Sequence, residues 1–473
     1  MRKTKIVCTI GPACTDRQVV KEMIKNGMNV ARLNFSHGTH EYHKKNVEML
    51  KEIRRELNVP LAILLDTKGP EIRIKQFSCG SVSLENGMDF TLTASDCLGD
   101  SKKVSITYKD LPSQLKAGDT VLIDDGSVEL KVSFVNGEDI ICKVIRGGEI
   151  SDNKGVNIPN ISLNQPYLSD KDKEDILFAL ENDLDYIAAS FVRRKEDVTS
   201  LREFIKQNGG SDILIISKIE NTEGIDNFDE ILECSDGIMV ARGDMGVEVA
   251  FERLPGLQKR FIKKCYRSGK AVITATQMLE SMISHATPTR AEITDVANAV
   301  FDGTSAIMLS GETAIGKNPV AAVSVMAKIA SQAEKDAFEM NIYKNTEYEM
   351  NSNDTTNAVC DAACITARDI KAKAILVPSR LGGTARRMSK FRPLEPIICA
   401  THKEKTFNQL SLSWGVYPVL TEFEKDYNKL FEHSIKCAKQ VNLVEKGDMV
   451  VITAGIPIDT PGNTNLLKVE KID

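Results

Sequence analysis

The sequence predicts a (β/α)8 barrel, interrupted by a small all-β domain and followed by a second, smaller open α/β sheet. Three observations carry this: eight near-continuous apolar runs at the spacing of β/α units, one interval far too long, and a change of texture after residue 340. The runs are IVCTI from Ile6, VARLNF from Val30, LAILLD from Leu61, YIAASFV from Tyr186, ILIISKI from Ile213, GIMVARG from Gly237, AVITAT from Ala271 and AIMLSG from Ala306. Strands of a parallel sheet, covered on both faces, have this unbroken apolar character. Start to start they lie 24, 31, 125, 27, 24, 34 and 35 residues apart. Six intervals hold one strand and one helix, and the remaining one holds about 95 residues more. Eight strands and about 240 residues outside the insertion favour closure into a TIM barrel. An open doubly wound sheet is the alternative.

The elements between the strands have their own signals. In TDRQVVKEMIKNG, Thr15 and Asp16 are candidate caps and Gly27 a stop; SDKDKEDILFALENDL opens with Ser169 or Asp170 ahead of acidic first-turn residues. Residues 70–168 alternate polar and apolar between NG, GD and DG turns, without a helix-period stretch, and predict a β-barrel-like domain of hairpins. Inserted in a βα loop, it lies over the C-terminal face of the barrel, a candidate lid. The catalytic barrel is thus 1–69 and 169–340. The polar stretch NIYKNTEYEMNSNDTTN opens the last domain, 341–473, in which AVCDAACITARDI reads as a helix and AILVPS, IICAT, VYPVL and MVVIT as strands, with KVEKI after the last of them.

Composition narrows the function. Across 473 residues, 61 Lys and Arg stand against 66 Asp and Glu, a net charge of −5, which argues against nucleic-acid binding through bulk positive charge. No apolar run approaches the roughly 20 residues of a membrane span. Eleven cysteines, an odd number scattered along the chain, do not form a disulfide framework. We expect a cytoplasmic, reduced protein with neither nucleic acid nor membrane as partner.

Catalytic groups of such a barrel come from the C-terminal ends of its strands. Here these carry Arg32, Asn34, Ser36 and His37; Asp66, Thr67 and Lys68; Lys218 and Glu220; Arg242 and Asp244; Thr274, Thr276 and Gln277; and Ser310 and Glu312. Any one alone reads as a solvated loop residue or cap; their convergence on one mouth does not. Lys218 and Glu220, two apart, share a side. Glu220 and Asp244 are too few carboxylates for a calcium cage but suit Mg²⁺, which takes its other ligands from water and substrate oxygens. Lys218 adds a mobile cation for developing charge, Arg32 a planar fork for phosphate. The GDMG segment offers free backbone N–H groups in a tight turn, a seat for a carboxylate or phosphate. Asn34, Ser36, Asp66 and Thr67 form an oxygen cluster with one formal charge, as a monovalent cation requires. The residues alone point to Mg²⁺-assisted chemistry on a small phosphorylated acid.

The strings MNVARLNFSHGTHEYH, LLDTKGPEIR, ISKIENTEGIDNFDEI, VARGDMGVEV, TATQMLESMI and PTRAEITDVANAVFDGTSAIMLSGETAIG resemble those of pyruvate kinases, in the same domain order from end to end. The resemblance implies phosphoryl transfer from phosphoenolpyruvate to ADP, giving pyruvate and ATP, in the last step of glycolysis. Arg32 would hold the phosphoryl group, Glu220 and Asp244 would ligate Mg²⁺ (or Mn²⁺), and Lys218 would neutralise charge as the phosphorus–oxygen bond breaks. Gly243 and Asp244 would hold the substrate carboxylate. Thr276 would assist from the proton-delivery side of the enolate, with Ser310 a weaker relay candidate. K⁺ would sit at Asn34, Ser36, Asp66 and Thr67, and Glu71 matches the K⁺-dependent members. Nucleotide contacts would come from Arg73, Lys154, Asn34 and His37. The resemblance also implies a homotetramer.

The loop PSRLGGTARRM offers Ser379, Gly382, Gly383 and Thr384 ahead of a helix carrying Arg386 and Arg387 in its first turn, either a capped connection or a phosphate seat. In the family it holds a sugar-phosphate or nucleotide effector; fructose 1,6-bisphosphate, ribose 5-phosphate and AMP are all open. Elsewhere plainer readings win. His37, His40 and His43 begin in a loop and do not suggest a metal cluster, Cys360 and Cys364 read as buried small apolar groups, and Trp414 reads as a packing or partner-facing residue. Two other functions compete: a barrel lyase using the same metal without nucleotide, and a non-catalytic scaffold, which predicts losses among Arg32, Lys218, Glu220, Asp244 and Thr276. None is lost.

Overall fold

The computed structural model describes residues 1–210, 212–343, 354–458 and 462–473. All eight expected barrel strands form: β1 (Lys5–Thr9), β2 (Val30–Asn34), β3 (Ala62–Asp66), β4 (Tyr186–Ala189), β5 (Leu214–Ile219), β6 (Gly237–Ala241), β7 (Ala271–Ala275) and β8 (Ala306–Leu309). Neighbours are parallel, and β8 pairs back onto β1 with Ala306 opposite Lys5, so the sheet closes. Closure excludes the open-sheet alternative. The unbroken apolar runs are explained by alternation: Ile6, Cys8, Ala31 and Leu33 pack outward among the helices, while Val7, Val30, Leu64 and Ile216 fill the lumen.

The helices begin and end where their caps dictate. Asp16, rather than Thr15, caps Arg17–Asn26 by accepting from the Gln18 N–H, and Gly27 at φ +126° ends it. Ser169, rather than Asp170, opens Asp170–Glu181 through a reciprocal capping box with Asp172. The insertion is all-β apart from one 3-10 turn at Leu111–Gln114. Its seven-stranded sheet curls until Ile74 bridges Ile106 near the two edges, around a core that includes Phe90, Val121 and Ile140.

The last domain has the four expected strands, β9 (Ala374–Leu376), β10 (Ile397–Thr401), β11 (Val416–Leu420) and β12 (Met449–Ala454), and a fifth over the KVEKI run, β13 (Leu466–Lys471), in the order β11-β10-β9-β12-β13. Only β13 is antiparallel to its neighbour. The polar boundary stretch lies in large part outside the described residues. The expected helix forms as Thr355–Asp369, with Cys360 and Cys364 buried in it.

The last domain closes the floor of the barrel. Its 3-10 turn Leu410–Leu412 reaches the N-terminal strand ends, where the fully buried Leu412 joins the lumen cluster of Val7, Ala62, Tyr186 and Met308. Around it the Tyr186 hydroxyl donates to the Gln409 carbonyl at 2.6 Å, the Lys5 ammonium to the Val416 carbonyl at 2.7 Å, and the Ala62 N–H to Ser411 Oγ at 3.1 Å. Trp414 is a packing residue in this seam, with the Arg392 guanidinium 4.4 Å and the Lys3 ammonium 5.3 Å from its ring. Truncating such a buried leucine removes transfer energy and leaves a cavity. Leu412→Ala should therefore cost about 2–5 kcal/mol of stability. A urea-unfolding midpoint equal to that of the parent chain would show that this side chain does not seal the barrel.

Candidate functional site

At the opposite, C-terminal end of the strands, charge is buried and paired. Asp66, the last residue of β3, is fully buried and receives two cations. Arg32 on β2 donates through Nε to Oδ2 at 2.6 Å, and Lys218 on β5 donates to Oδ1 at 3.1 Å. Arg32 also reaches Thr9 Oγ1 on β1 at 2.8 Å. Lys218 reaches Glu220 Oε1 at 3.0 Å, as their shared side requires, and Ser190 Oγ at 2.8 Å. The other Glu220 oxygen accepts from the Phe191 N–H at 2.6 Å. Five of the eight strand ends thus meet in one hydrogen-bonded cluster.

The electrostatics follow from this burial. Loss of water works against the Asp66 carboxylate, but Arg32 and Lys218 more than offset it and hold its pKa below the ordinary range. Burial likewise works against the Lys218 ammonium, and Asp66 and then Glu220 outweigh it, raising its pKa. Glu220 is the exception. Burial pushes its carboxyl up to about 7, Lys218 opposes that, and the charge of Asp244 adds to it. Two cations face three carboxylates, so with all of them ionised the cluster with Asp244 carries one net negative charge. A buried carboxylate short of positive charge beside a second, half-buried one fits a divalent cation.

Asn34 lies opposite Asp66 in the β2–β3 register, with Ser36 and Thr67 just beyond, so the expected K⁺ residues share one corner. There Asn34 Oδ1 accepts from the Ser36 N–H, and Thr67 Oγ1 from the Ser190 N–H. The GDMG reading needs correction. The segment is the start of the helix Arg242–Glu248 and not a tight turn, because the backbone turns helical directly after β6. The Gly243 N–H is not free: it donates to Thr276 Oγ1 at 2.8 Å. Thr276 follows β7 with φ +71° and Gln277 with φ +54°. Such left-handed residues cost on the order of 1–3 kcal/mol each, and a β-branched one is a marked outlier. Arg242 is not presented to ligand; its guanidinium is spent on Asp295 and the Thr276 carbonyl. Ser310 lies at the end of β8, its N–H donating to the buried Glu312.

The root of the lid brings Arg73 and Lys154 together, Arg73 standing opposite Gly155 in the sheet. Arg73 pairs with Glu71 at 2.8 Å and Lys154 with Asp124 at 2.9 Å. Between lid and barrel lies a cavity of about 470 Å³, lined in part by Phe191, Asp244 and the lid residue Asp125. Burial, and after it Asp244, raises the Asp125 pKa. His37 is exposed, whereas His40 bonds Asp175 and His43 stacks on Phe35 at 4.0 Å, so the three histidines form no metal cluster. In the last domain, Ser379, Gly383 and Thr384 line a cavity of about 250 Å³, while Gly382, at φ +73°, is not part of its lining. Arg386 and Arg387 stand in the last turn of the seven-residue helix Gly383–Ser389 and not its first, because Gly382 is the cap.

Ser190 was missed by the sequence reading. It is buried, bonds Lys218, and lies 3.0 Å from Asp66 Oδ1 and 2.6 Å from the Thr67 carbonyl. Its signal was its place at the end of the YIAASFV run, two residues after Ala188. Asp295, held in the middle of a helix, had none. Removing one partner from a buried ion network leaves uncompensated charge, which costs about 3–5 kcal/mol. Asp66→Ala, which strands both Arg32 and Lys218, should lose that much in urea unfolding. A loss under about 1 kcal/mol would mean that the cations do not depend on this carboxylate.

The description "Pyruvate kinase, barrel domain" matches residues 1–323, and "Pyruvate kinase, alpha/beta domain" matches residues 357–470. Proteins named pyruvate kinase from Clostridium acetobutylicum and Clostridium perfringens are each 46% identical to this chain, over the whole of both chains. One from Staphylococcus haemolyticus is 46% identical over the whole of this chain and 81% of its own length. With an eight-stranded barrel, an inserted β-domain and a charged cluster at the strand ends, the chain belongs to the pyruvate kinase family of phosphotransferases.

Proposed function

We propose that this chain transfers the phosphoryl group of phosphoenolpyruvate to ADP, giving pyruvate and ATP, in a reaction that depends on a divalent cation and K⁺. The observation that carries the reading is the buried cluster of Arg32, Asp66, Lys218 and Glu220, with Asp244 beside it. Glu220 and Asp244 would hold Mg²⁺ (or Mn²⁺), which when bound supplies positive charge to phosphate and enolate oxygens. Asn34, Ser36, Asp66 and Thr67 would hold K⁺.

Arg32 then grips the transferring phosphoryl group, with its Nε fixed on Asp66 so that its fork is aimed before substrate arrives. The transition state for phosphoryl transfer is loose and highly charged, so positioning and neutralisation contribute most of the rate. Lys218 is the neutralising group. Its neighbours keep it charged despite burial, and in a water-poor site a fixed cation acts more strongly than it does in water. The first turn of Arg242–Glu248 receives the substrate carboxylate near Gly243 and Asp244. Thr276 stands on the proton-delivery side, with Ser310 as a second hydroxyl. Arg73, Lys154, Asn34 and His37 receive the nucleotide. Contacts between lid and barrel, such as Asn157 with Glu248 at 3.0 Å, support closure that keeps water from the phosphoryl donor.

The Ser379–Thr384 loop and its cavity support binding of a sugar phosphate or nucleotide that activates the enzyme. We also infer a cytoplasmic homotetramer on the family's pattern. Among the described residues no helix is long and apolar enough to cross a membrane.

Pyruvate formation in a coupled assay tests the reading. It should require phosphoenolpyruvate, ADP, Mg²⁺ and K⁺ together, and Lys218→Ala should lower kcat by about 10²–10⁴ with little change in KM for phosphoenolpyruvate. Pyruvate formed at full rate without ADP would point to a lyase or phosphatase. A Lys218→Ala variant with near-parental kcat would remove that residue from the mechanism.

A further inference from the structure

We propose that Arg242 and Asp295 are positioning residues for Thr276, and that their clamp governs protonation of the enolate rather than phosphoryl transfer. The inference rests on the reading of Thr276 given under Proposed function. Thr276 and Gln277 are consecutive left-handed residues, and the first is β-branched, so their backbone must be held from outside. The Thr276 hydroxyl is engaged on both sides, donating to the Ala275 carbonyl at 2.6 Å and accepting from the Gly243 N–H at 2.8 Å. The backbone itself is held by Arg242. Its Nη2 donates to the Thr276 carbonyl at 2.5 Å, and its Nε lies 3.2 Å from that oxygen and 3.3 Å from the Ala275 carbonyl. One guanidinium thus ties down two successive carbonyls where the chain changes hand.

The guanidinium is itself aimed from a third element. Asp295, on the helix Arg290–Phe301, receives Nη1 with both carboxylate oxygens, at 2.8 and 2.7 Å. Arg242 is buried, so it has little water to exchange these bonds for. The Asp295 side chain is 36% exposed, so its charge can be removed without opening the core.

The clamp's side-chain bonds reach Thr276 and not Arg32, Asp66, Lys218 or Glu220, whose contacts run instead to Thr9, Ser190 and Phe191. Loosening it frees the Thr276 backbone to leave the left-handed region and carries its hydroxyl away from Gly243. In the second half of the reaction ATP has already formed. The carbon–carbon π pair of the enolate takes a proton at the methylene carbon, the carbon–oxygen bond becomes a carbonyl, and the proton comes ultimately from solvent. An enolate that misses this step on the enzyme ketonises in water after release. The two half-reactions can therefore be read separately.

Asp295→Asn keeps the shape and removes the charge. Two rates are compared: ATP formation from phosphoenolpyruvate and ADP, and exchange of the pyruvate methyl protons in D₂O, followed by proton NMR with ATP, Mg²⁺ and K⁺ present. The exchange rate should fall by about tenfold or more, while kcat for ATP formation stays within about threefold and KM for phosphoenolpyruvate within about twofold. Asp295→Glu should restore exchange. An equal fall in both rates would make the pair a structural prop, and unchanged exchange would show that Thr276 needs no clamp; either result overturns the proposal. Thr276→Val separates the layers. Exchange intact in that variant removes Thr276 from the proton path and the proposal with it, whereas exchange lost there but kept in Asp295→Asn defeats the clamp alone.

Discussion

The structure depends on one arrangement of buried charge: the Asp66 carboxylate, without access to water, shared between the Arg32 guanidinium and the Lys218 ammonium. Separately, each of these ions would be costly to bury, and together they are tolerated because every partner is close and further bonded. The arrangement gives little net stability over an apolar core; what it provides is aim. Arg32, Asp66 and Lys218 stand on β2, β3 and β5 of a closed sheet, so their separation is set by strand register. Glu220, tied to Lys218 and to the Phe191 N–H, is then left buried beside Asp244 with too little positive charge. A site fixed this way loses little to reorganisation during the reaction.

The two ends of the barrel have opposite characters. At the floor Leu412 completes an apolar lumen, and hydrogen bonds from Lys5, Ala62 and Tyr186 bind the last domain to the strand starts. At the mouth polar strand ends face a cleft beneath the inserted domain. This division suits a catalyst whose rigid frame is sealed from below and worked from above. It also joins the last domain to the starts of β1, β3 and β4, the strands that end at Thr9, Asp66 and Ala189.

The barrel was legible because its strands are covered on both faces, which leaves runs such as LAILLD and GIMVARG nearly free of polar residues until the mouth. The same rule exposed the site, since Arg32, Asp66, Lys218 and Glu220 interrupt those runs at their ends. What the sequence hid was partnership. Arg242 and Arg32 look alike at a strand end, yet Arg242 is taken up by Asp295, which lies 53 positions further on. GDMG reads as a turn because glycines usually mark one, but here the backbone goes straight into a helix. Ser190 is a single hydroxyl without a spacing rule, and Leu412, between Ser411 and Ser413, gives no hint of entering another domain's core. The reaction itself came from the resemblance of long motifs, which the family matches bear out.

The most direct measurement of whether the buried network prepares a metal seat is a crystal structure grown with Mg²⁺ and oxalate, which imitates the enolate. The account predicts one Mg²⁺ bound by carboxylate oxygens of both Glu220 and Asp244 at about 2.0–2.1 Å, with the Lys218 ammonium turned toward the same oxalate. An ion held elsewhere, with those two carboxylates facing apart, would contradict it.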